Sequence, residues 1–444
     1  MSKKVLLIYH APTVKKYYLN FAPPLGILSI SSYLSSRGIE NKIVDCCMEK
    51  LGGSDIKGYD VFGFSVNKSN VANSMHCAAQ IKKEFPQKEI IFGGPQCTED
   101  PGYFIEKEFV DGAIIGEGEE TFYEYLTKRE AKEVKGLYFK DKEGQVVFTG
   151  DREYIDNLDA LPFPALDKID IRRYGYIPKR ALPTSSIVTS RGCPYNCTFC
   201  FHSLGYKWRA RSAENVVDEI EWQVKALKVK EICILDDNFS LDRMRIEKIC
   251  DLIIKRKIKV HFQLATGIRV DTVDKELLLK LKEAGVYLVS IAPESGNIET
   301  KKRIKKNFDP DKMKDLVTCC KKLGLRTFSF FIIGFPWEDR KQIEKTIKFA
   351  IELDTDFVKF TRFVLTPSIP IWHEIRDSDM IDNVDSGMEQ SYFYGGSILV
   401  QKIMRAAYRK FYLRPQKILR LLKITRLDDL LSLAKYAFNT RNIL

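Results

Sequence analysis

Brief apolar runs alternate with longer amphipathic stretches along most of this chain. In the first third, the runs Val5–Tyr9, 42–44, Val61–Ser65, 90–92 and 112–115 are rich in β-branched and aromatic residues. Such runs predict parallel strands buried on both faces. Apolar positions recur at helical spacing between them, predicting helices such as 26–36 and 71–85. This order predicts a doubly wound α/β sheet over residues 1–135. The runs 136–139 and 145–148 flank Asp141-Lys142-Glu143-Gly144 and predict a hairpin. Two prolines among apolar residues, Pro162 and Pro164, predict a linker, so hairpin and linker together fill 136–183. Strand–helix alternation restarts over 184–395, with strands predicted at 186–190, 231–235, 260–265, 286–292, Arg326–Ile333 and 357–363. Helices such as 213–227 and 311–323 fall between them. Six such units predict a second parallel α/β sheet, and sites on such units gather at the carboxyl ends of the strands.

Charge changes the picture at the end of the chain. Residues 401–444 hold eleven Lys or Arg against Asp428 and Asp429, nine of the twelve net positive charges. Ile403, Tyr408, Phe411, Tyr412, Ile418, Leu419, Leu422 and Leu427 interleave with them, predicting basic amphipathic helices over 396–444. Two uses fit that pattern: a helical cap with a solvated basic face, or docking on an anionic membrane face or an acidic carrier. A chain of 444 residues exceeds one hydrophobic core. Eleven cysteines without a leader-like apolar start predict a reducing, cytoplasmic setting in which thiols serve metals or packing. No uninterrupted apolar run reaches the roughly 18 residues that span a bilayer.

The most informative stretch is Cys193-Pro194-Tyr195-Asn196-Cys197-Thr198-Phe199-Cys200. Three thiolates on one short loop match an iron–sulfur cubane with one iron left open, since such a cluster normally takes four cysteines. A structural zinc site, with His202 as fourth ligand, is the plainer alternative, but zinc sites usually draw a second ligand pair from a distant segment and none occurs here. This CxxxCxxC spacing resembles that of the radical S-adenosylmethionine (SAM) superfamily; the six units resemble that family's open, partial TIM-type barrel, and the loop follows the first of the six strands, as in that family. The resemblance implies a [4Fe-4S] cluster on Cys193, Cys197 and Cys200. Its open iron chelates SAM, and one electron cleaves SAM to a 5′-deoxyadenosyl radical. It also implies that Asp236, Asp237 and Asn238, after the second strand, hold the SAM amino group. Glu294 and Ser295, after the fourth, would meet the ribose or methionyl part. Ile333, Gly334 and the backbone of Phe199 would meet adenine. A paired Asp at a strand end also suits helix capping, and Arg269 suits a solvated rim. Tyr287, Tyr392 and Tyr394 suit either hydrogen shuttling or packing.

The first domain resembles a cobalamin-binding, Rossmann-like domain, a likeness that with the barrel covers the chain to about residue 395. Its matching pieces are Pro24-Leu25-Gly26, Ser65 and Asn67, Gly93-Gly94-Pro95-Gln96, and Gly116-Glu117-Gly118. Glycines at strand ends let backbone approach a bulky corrin. The D-x-H-x-x-G motif of many such domains is missing, because Ile8-Tyr9-His10-Ala11-Pro12-Thr13 lacks both Asp and Gly; no His on cobalt is expected. Together the two likenesses imply a cobalamin-dependent radical SAM enzyme. Its expected reaction is methylation of an unactivated carbon of a small molecule or lipid, with an external flavodoxin or ferredoxin as electron donor and no nucleic-acid partner. Oxidative cyclisation, as in the anaerobic porphyrin-ester cyclase, is the alternative on the same scaffold. A tRNA methylthiotransferase would carry a cysteine soon after the first strand and a terminal β-barrel. A non-catalytic cobalamin sensor would have no use for the cysteine loop.

Overall fold

The structure, a computed structural model, describes residues 3–12, 22–376 and 397–431. Tyr392, Tyr394 and the basic positions 435 and 441 lie outside the described residues. The chain forms two compact units, one up to Tyr174 together with Ser203–Gly205, the other from Gly175 onward.

The first unit is built on a sheet of seven strands: β1 (Val5–Tyr9), β2 (Asn41–Asp45), β3 (Val61–Ser65), β4 (Glu89–Gly93), β5 (Gly112–Ile114), β6 (Leu137–Lys140) and β7 (Val146–Phe148). Their spatial order is β2-β1-β3-β4-β5-β6-β7. The first five run parallel, and β6 and β7 antiparallel. Leu6, Phe62, Phe64, Ile90 and Phe92 are buried, as strands covered on both faces require. The order reverses between β1 and β3, and ligand crevices in such sheets open at the carboxyl ends beside that switch.

The hairpin departs from expectation. Gly112 pairs with Phe139, so β6 and β7 extend the first sheet instead of belonging to a connection. The proline-rich segment after it also packs on this unit. Leu158, Leu166, Ile171 and Tyr174 are buried, and the Tyr174 hydroxyl donates to Asp45 Oδ2 at 2.7 Å. Prolines exclude regular pairing, but they leave apolar side chains free to cover a helix face.

The second unit carries six parallel strands in sequential order: β8 (Thr184–Ile187), β11 (Glu231–Ile234), β12 (His261–Ile268), β13 (Val286–Glu294), β14 (Arg326–Ile333) and β15 (Phe357–Arg362). A two-stranded ladder, β9 (Ser190–Arg191) with β10 (Arg209–Ala210), clasps the loop that holds the three cysteines. Capping follows the sequence: Asp339 accepts from Gln342 N at 2.7 Å, and Gln342 Oε1 accepts from Asp339 N at 2.8 Å, opening the helix Arg340–Leu353. Near the amino ends of the strands, Glu231 is fully buried and satisfied. It accepts from Arg180 N, Ala181 N, Gln263 Nε2 and the Tyr287 hydroxyl. Tyr287 is thus part of a floor network, at the end of the strands opposite the cysteine loop.

An open sheet leaves β15 with an unpaired edge, and helix Ser397–Tyr412 supplies the missing partners. The Tyr408 hydroxyl accepts from Phe360 N at 3.0 Å and donates to Phe360 O at 3.1 Å. Tyr412 does the same for Val358 at 2.9 and 3.1 Å. Basic residues of the next helix pair inward: Arg414 and Lys417 with Asp354, and Arg420 with Asp356. These three basic residues therefore hold a helical cap on the barrel, while Leu419, Leu422 and Leu427 stay exposed. Tyr408→Phe should destabilise this edge by about 1–3 kcal/mol, because a buried N–H and C=O lose their partner. Hydrogen exchange at the Phe360 amide should accelerate while the Glu231 region stays protected; unchanged protection at Phe360 would contradict the edge-capping role.

Candidate active site

The cysteine loop leaves the barrel through a buried carboxylate. Asp236, at the end of β11, is 1% exposed. Oδ1 accepts from Thr189 N at 2.6 Å, and Oδ2 from the hydroxyls of Thr189 and Ser190 at 2.5 and 2.6 Å. Burial raises the pKa of this carboxyl and the three donors oppose that rise. The residue is committed to stitching two strand ends, so of the three polar positions here only Asp237 and Asn238 remain to face a ligand. Asp237 is exposed and accepts from Gly192 N at 3.2 Å. Asn238 is 3% exposed, and its Oδ1 is buried without a hydrogen-bond partner. Such an orphaned acceptor in a native fold calls for a ligand or solvent donor.

Further along the loop, Thr198 N donates to Ile304 O at 3.1 Å, its hydroxyl to Arg303 O at 3.2 Å, and its carbonyl accepts from Ile371 N at 2.9 Å. Phe199 and Phe201 pack on a cluster formed by Ile304, Phe335, Phe363, Leu365, Ile369, Ile371 and Ile375. Arg269 lies over the Tyr195 ring at 3.8 Å, and His202 Nε2 donates to Tyr195 O at 2.9 Å while its ring stacks on Tyr206. Cys193, Cys197 and Cys200 are free, half-buried thiols on this braced loop. Burial pushes all three above the usual thiol range, Cys200 to about 12, with Asp237 adding to the rise at Cys193 and Cys200. Lys306 pulls all three the other way, joined by Arg269 at Cys193 and Cys197. Only the thiolate ligates a metal, so a cationic cluster would supply the charge that these groups lack. Among the described residues no three His, Cys, Asp or Glu side chains gather closely enough to share one ion; a cubane asks instead for one thiolate at each of three irons.

Lys306 went unnoticed in the sequence, where it sits in an ordinary run of lysines. Its Nζ lies 2.9 Å from Glu294 Oε1 and 5.8 Å from the Phe199 ring centroid. Glu294 ends β13 with φ +62°, a left-handed turn that aims it toward that cation. Ser295 is less available than predicted: its hydroxyl lies 3.0 Å from Thr346 Oγ1 and accepts from Asn297 N at 3.1 Å. A Cβ on Gly296 would come within 2.6 Å of Phe349 Cβ, so this turn packs directly on a helix. Ile333 is fully buried and Gly334 has φ +83°. Glu338, also missed, caps that turn by accepting from Gly334 N at 3.1 Å and Phe335 N at 3.2 Å.

In the first unit the predicted pieces meet at the carboxyl ends of β3, β4 and β5. Gln96 N donates to Val66 O at 3.1 Å, and Gly116 N to Thr98 Oγ1 at 2.9 Å. A Cβ on Gly94 (φ +99°) would lie 2.8 Å from Val66 O, whereas Gly26 and Gly116 would project theirs into open space. Gln96 Oε1 is buried without a hydrogen-bond partner. Asn67 spends its side chain on Tyr9 OH, Ser69 N and Ser69 Oγ, so it shapes the crevice beside the switch. Glu117 accepts from Ile155 N at 2.7 Å. Pro24 and Leu25 open the helix Leu25–Ser35, and Gly118 lies against Ile30 of that helix. Open glycine positions beside an orphaned acceptor fit a large ligand.

The committed role of Asp236 is testable. Asp236→Asn should keep the fold, because hydroxyls can turn to donate or accept. Asp236→Ala should cost about 1–3 kcal/mol by stranding Thr189 N–H. Thermal unfolding of the two variants decides it; equal losses would refute the role.

Residues 187–350 match the model of the radical SAM superfamily, and residues 14–126 that of the B12 binding domain. An uncharacterised methyltransferase of Pyrococcus horikoshii is 32% identical over 442 aligned residues, covering 94% of each chain. Cytidylyl-2-hydroxyethylphosphonate methyltransferase of Streptomyces wedmorensis is 28% identical, over 75% of this chain and 73% of that protein. Anaerobic magnesium-protoporphyrin IX monomethyl ester cyclase of Rubrivivax gelatinosus is 25% identical, over 80% of this chain and 66% of that protein. The fold matches that of the cobalamin-dependent SAM radical enzyme OxsB, with aqua-cobalamin and SAM bound, at a TM-score of 0.78 and 18% identity, over 99% of this chain and 71% of that one. This chain belongs to the radical SAM enzymes, in the branch whose barrel follows a B12-binding domain.

Proposed function

We propose that this enzyme is a cobalamin-dependent radical SAM methyltransferase acting on an unactivated carbon of a small molecule or lipid. The observation that carries the reading is the braced loop of three free thiols beside an orphaned Asn238 acceptor. The methyltransferase relatives from Pyrococcus and Streptomyces support the reaction type. Bound, the cluster and SAM supply one-electron cleavage of a sulfonium to a hydrogen-abstracting radical, and the corrin carries the methyl group that replaces the hydrogen.

The chain's own part is to bind, orient and shield. Cys193, Cys197 and Cys200 hold three irons, and Lys306 eases the negative charge that three thiolates bring together. Asp237 and Asn238 accept from the SAM amino group, Glu294 meets the ribose, and Phe199, Ile333 and Gly334 line the adenine. The buried cluster around Phe335 and Phe363 keeps water from one side of the cysteine loop. Ser65, Gly93–Gln96 and Gly116–Gly118 would receive the corrin in the first unit. A flavodoxin or ferredoxin supplies electrons from outside. The cyclase relative favours one second reading, oxidative ring closure with no methyl gained.

Anaerobic reconstitution of the full chain tests this. Wild type should hold iron, sulfide and corrin, release 5′-deoxyadenosine on reduction, and pass label from methyl-labelled SAM to cobalamin. Finding zinc in place of iron would defeat both readings, and oxidised, unlabelled product would favour the cyclase. Cys193→Ala, Cys197→Ala and Cys200→Ala should each abolish 5′-deoxyadenosine release and the cluster's visible absorption. Asn238→Leu should weaken SAM binding about tenfold, as loss of one or two polar contacts does, with the cluster retained.

A further inference from the structure

The last barrel strand carries a charge that no described residue compensates. Along Phe357-Val358-Lys359-Phe360-Thr361-Arg362, side chains alternate between two faces. Phe360 faces the helices: its ring lies 5.3 Å from Tyr408, and its neighbour Phe331 lies 6.3 Å from Phe349 of the helix Arg340–Leu353. In register, Lys359 pairs with Phe330 and Thr361 with Ile332. These four residues therefore share the opposite face, toward the concave interior of the barrel. Phe328 continues that face, stacked on Phe330 at 4.9 Å. Next across is Ser290, paired in register with Phe328. Its hydroxyl is buried with no hydrogen-bond partner.

Lys359 is solvent-exposed, yet the protein around it lowers its pKa through desolvation, with no acid acting on it. Exposure and desolvation coincide for a side chain on the wall of a concavity. Among the described residues, none forms an ion pair or hydrogen bond with Lys359. Other basic groups that pack into this unit have a carboxylate partner: Lys306 has Glu294, Lys179 has Asp429, Lys417 has Asp354. A partly desolvated, unpaired ammonium is unfavourable by itself, and an anion arriving from solution would relieve it. An aromatic wall with a cation and an idle hydroxyl is the make-up of a small-molecule site.

We propose that Lys359 recognises an anionic group of the substrate, a phosphate, phosphonate or carboxylate, with Phe328, Phe330 and Ile332 covering the apolar part beside it and Ser290 within the same face. This deepens the proposed radical reaction and rests on it for the identity of the ligand as substrate. Lys359 stands level with Phe330, three residues before the end of β14, which is about 10 Å of strand. The anionic group is thus anchored several bonds away from the carbon presented at the strand ends. Lys359 is a binding residue and takes no part in bond making.

The test uses the reconstituted full-length protein and three probes at equal ionic strength: inorganic phosphate, methylphosphonate and acetate, against chloride. Acylation of Lys359 by acetic anhydride is followed residue by residue with mass spectrometry. At least one probe should slow acylation of wild-type Lys359 about fivefold or more, while exposed Lys410 and Lys423 react unchanged. Protection by phosphate and methylphosphonate alone assigns a phosphoryl or phosphonyl substrate; protection by acetate assigns a carboxylate. Calorimetry of the protecting probe should show about tenfold weaker binding to Lys359→Met, the size expected for a charge-assisted contact, with binding kept in Lys359→Arg. Equal acylation in all four anions, or unchanged affinity in Lys359→Met, overturns the proposal. Wild-type 5′-deoxyadenosine release is measured separately: its absence would defeat the reaction assigned above and leave the anion result standing as a binding site without that chemistry.

Discussion

A carboxylate without access to water determines where the cysteine loop of this protein starts. Asp236 gathers a backbone amide and two hydroxyls from the segment after β8, and so pins the start of the cysteine loop to the end of the neighbouring strand. A buried carboxylate is costly unless its lone pairs are used, so the arrangement has few alternatives. The far side of the loop is held differently, by the three backbone-directed bonds of Thr198 and by aromatic packing of Phe199 and Phe201. Between a polar hinge and an apolar clamp, the loop carries three free, half-buried cysteines.

The barrel treats its two ends in opposite ways. At the floor, Glu231 meets four donors and its own demands are filled. Around the mouth and inner wall, Asn238, Ser290 and Lys359 are left with unmet demands. Satisfied networks give rigidity; unsatisfied groups at the same depth mark where a ligand must complete the structure. The open sheet edge is handled with the same economy of groups, two tyrosine hydroxyls each serving as donor and acceptor to one strand residue.

Much of the fold was legible. Strands Val5–Tyr9, Val61–Ser65 and Arg326–Ile333 fall where the apolar runs place them, because strands buried on both faces must be continuously apolar. The hairpin was seen, but its partner was not: an antiparallel extension of a parallel sheet depends on what lies beside Gly112, which is far away in sequence. The proline-rich stretch looked like a tether, since prolines interrupt periodicity, yet Leu158 and Leu166 are buried. The tail reads as basic and amphipathic, but among its described residues Arg414, Lys417 and Arg420 close onto Asp354 and Asp356, and those pairings span roughly sixty positions.

The sequence by itself determined the order of strands and helices, the three-cysteine loop and the glycine-bearing strand ends. Periodicity and short-range spacing are local properties, and a metal-binding loop is written in one run of residues. Only the tertiary structure decided which polar group at each strand end is spent on the fold and which is idle. Asp236 and Asp237 are neighbours of identical chemistry, and one is buried among three donors while the other faces outward. Lys306 and Lys359 are two lysines among many until folding sets one against Glu294 and the other on an inner wall with no counter-charge among the described residues. Burial and pairing are properties of the whole packed chain, so no local pattern records them.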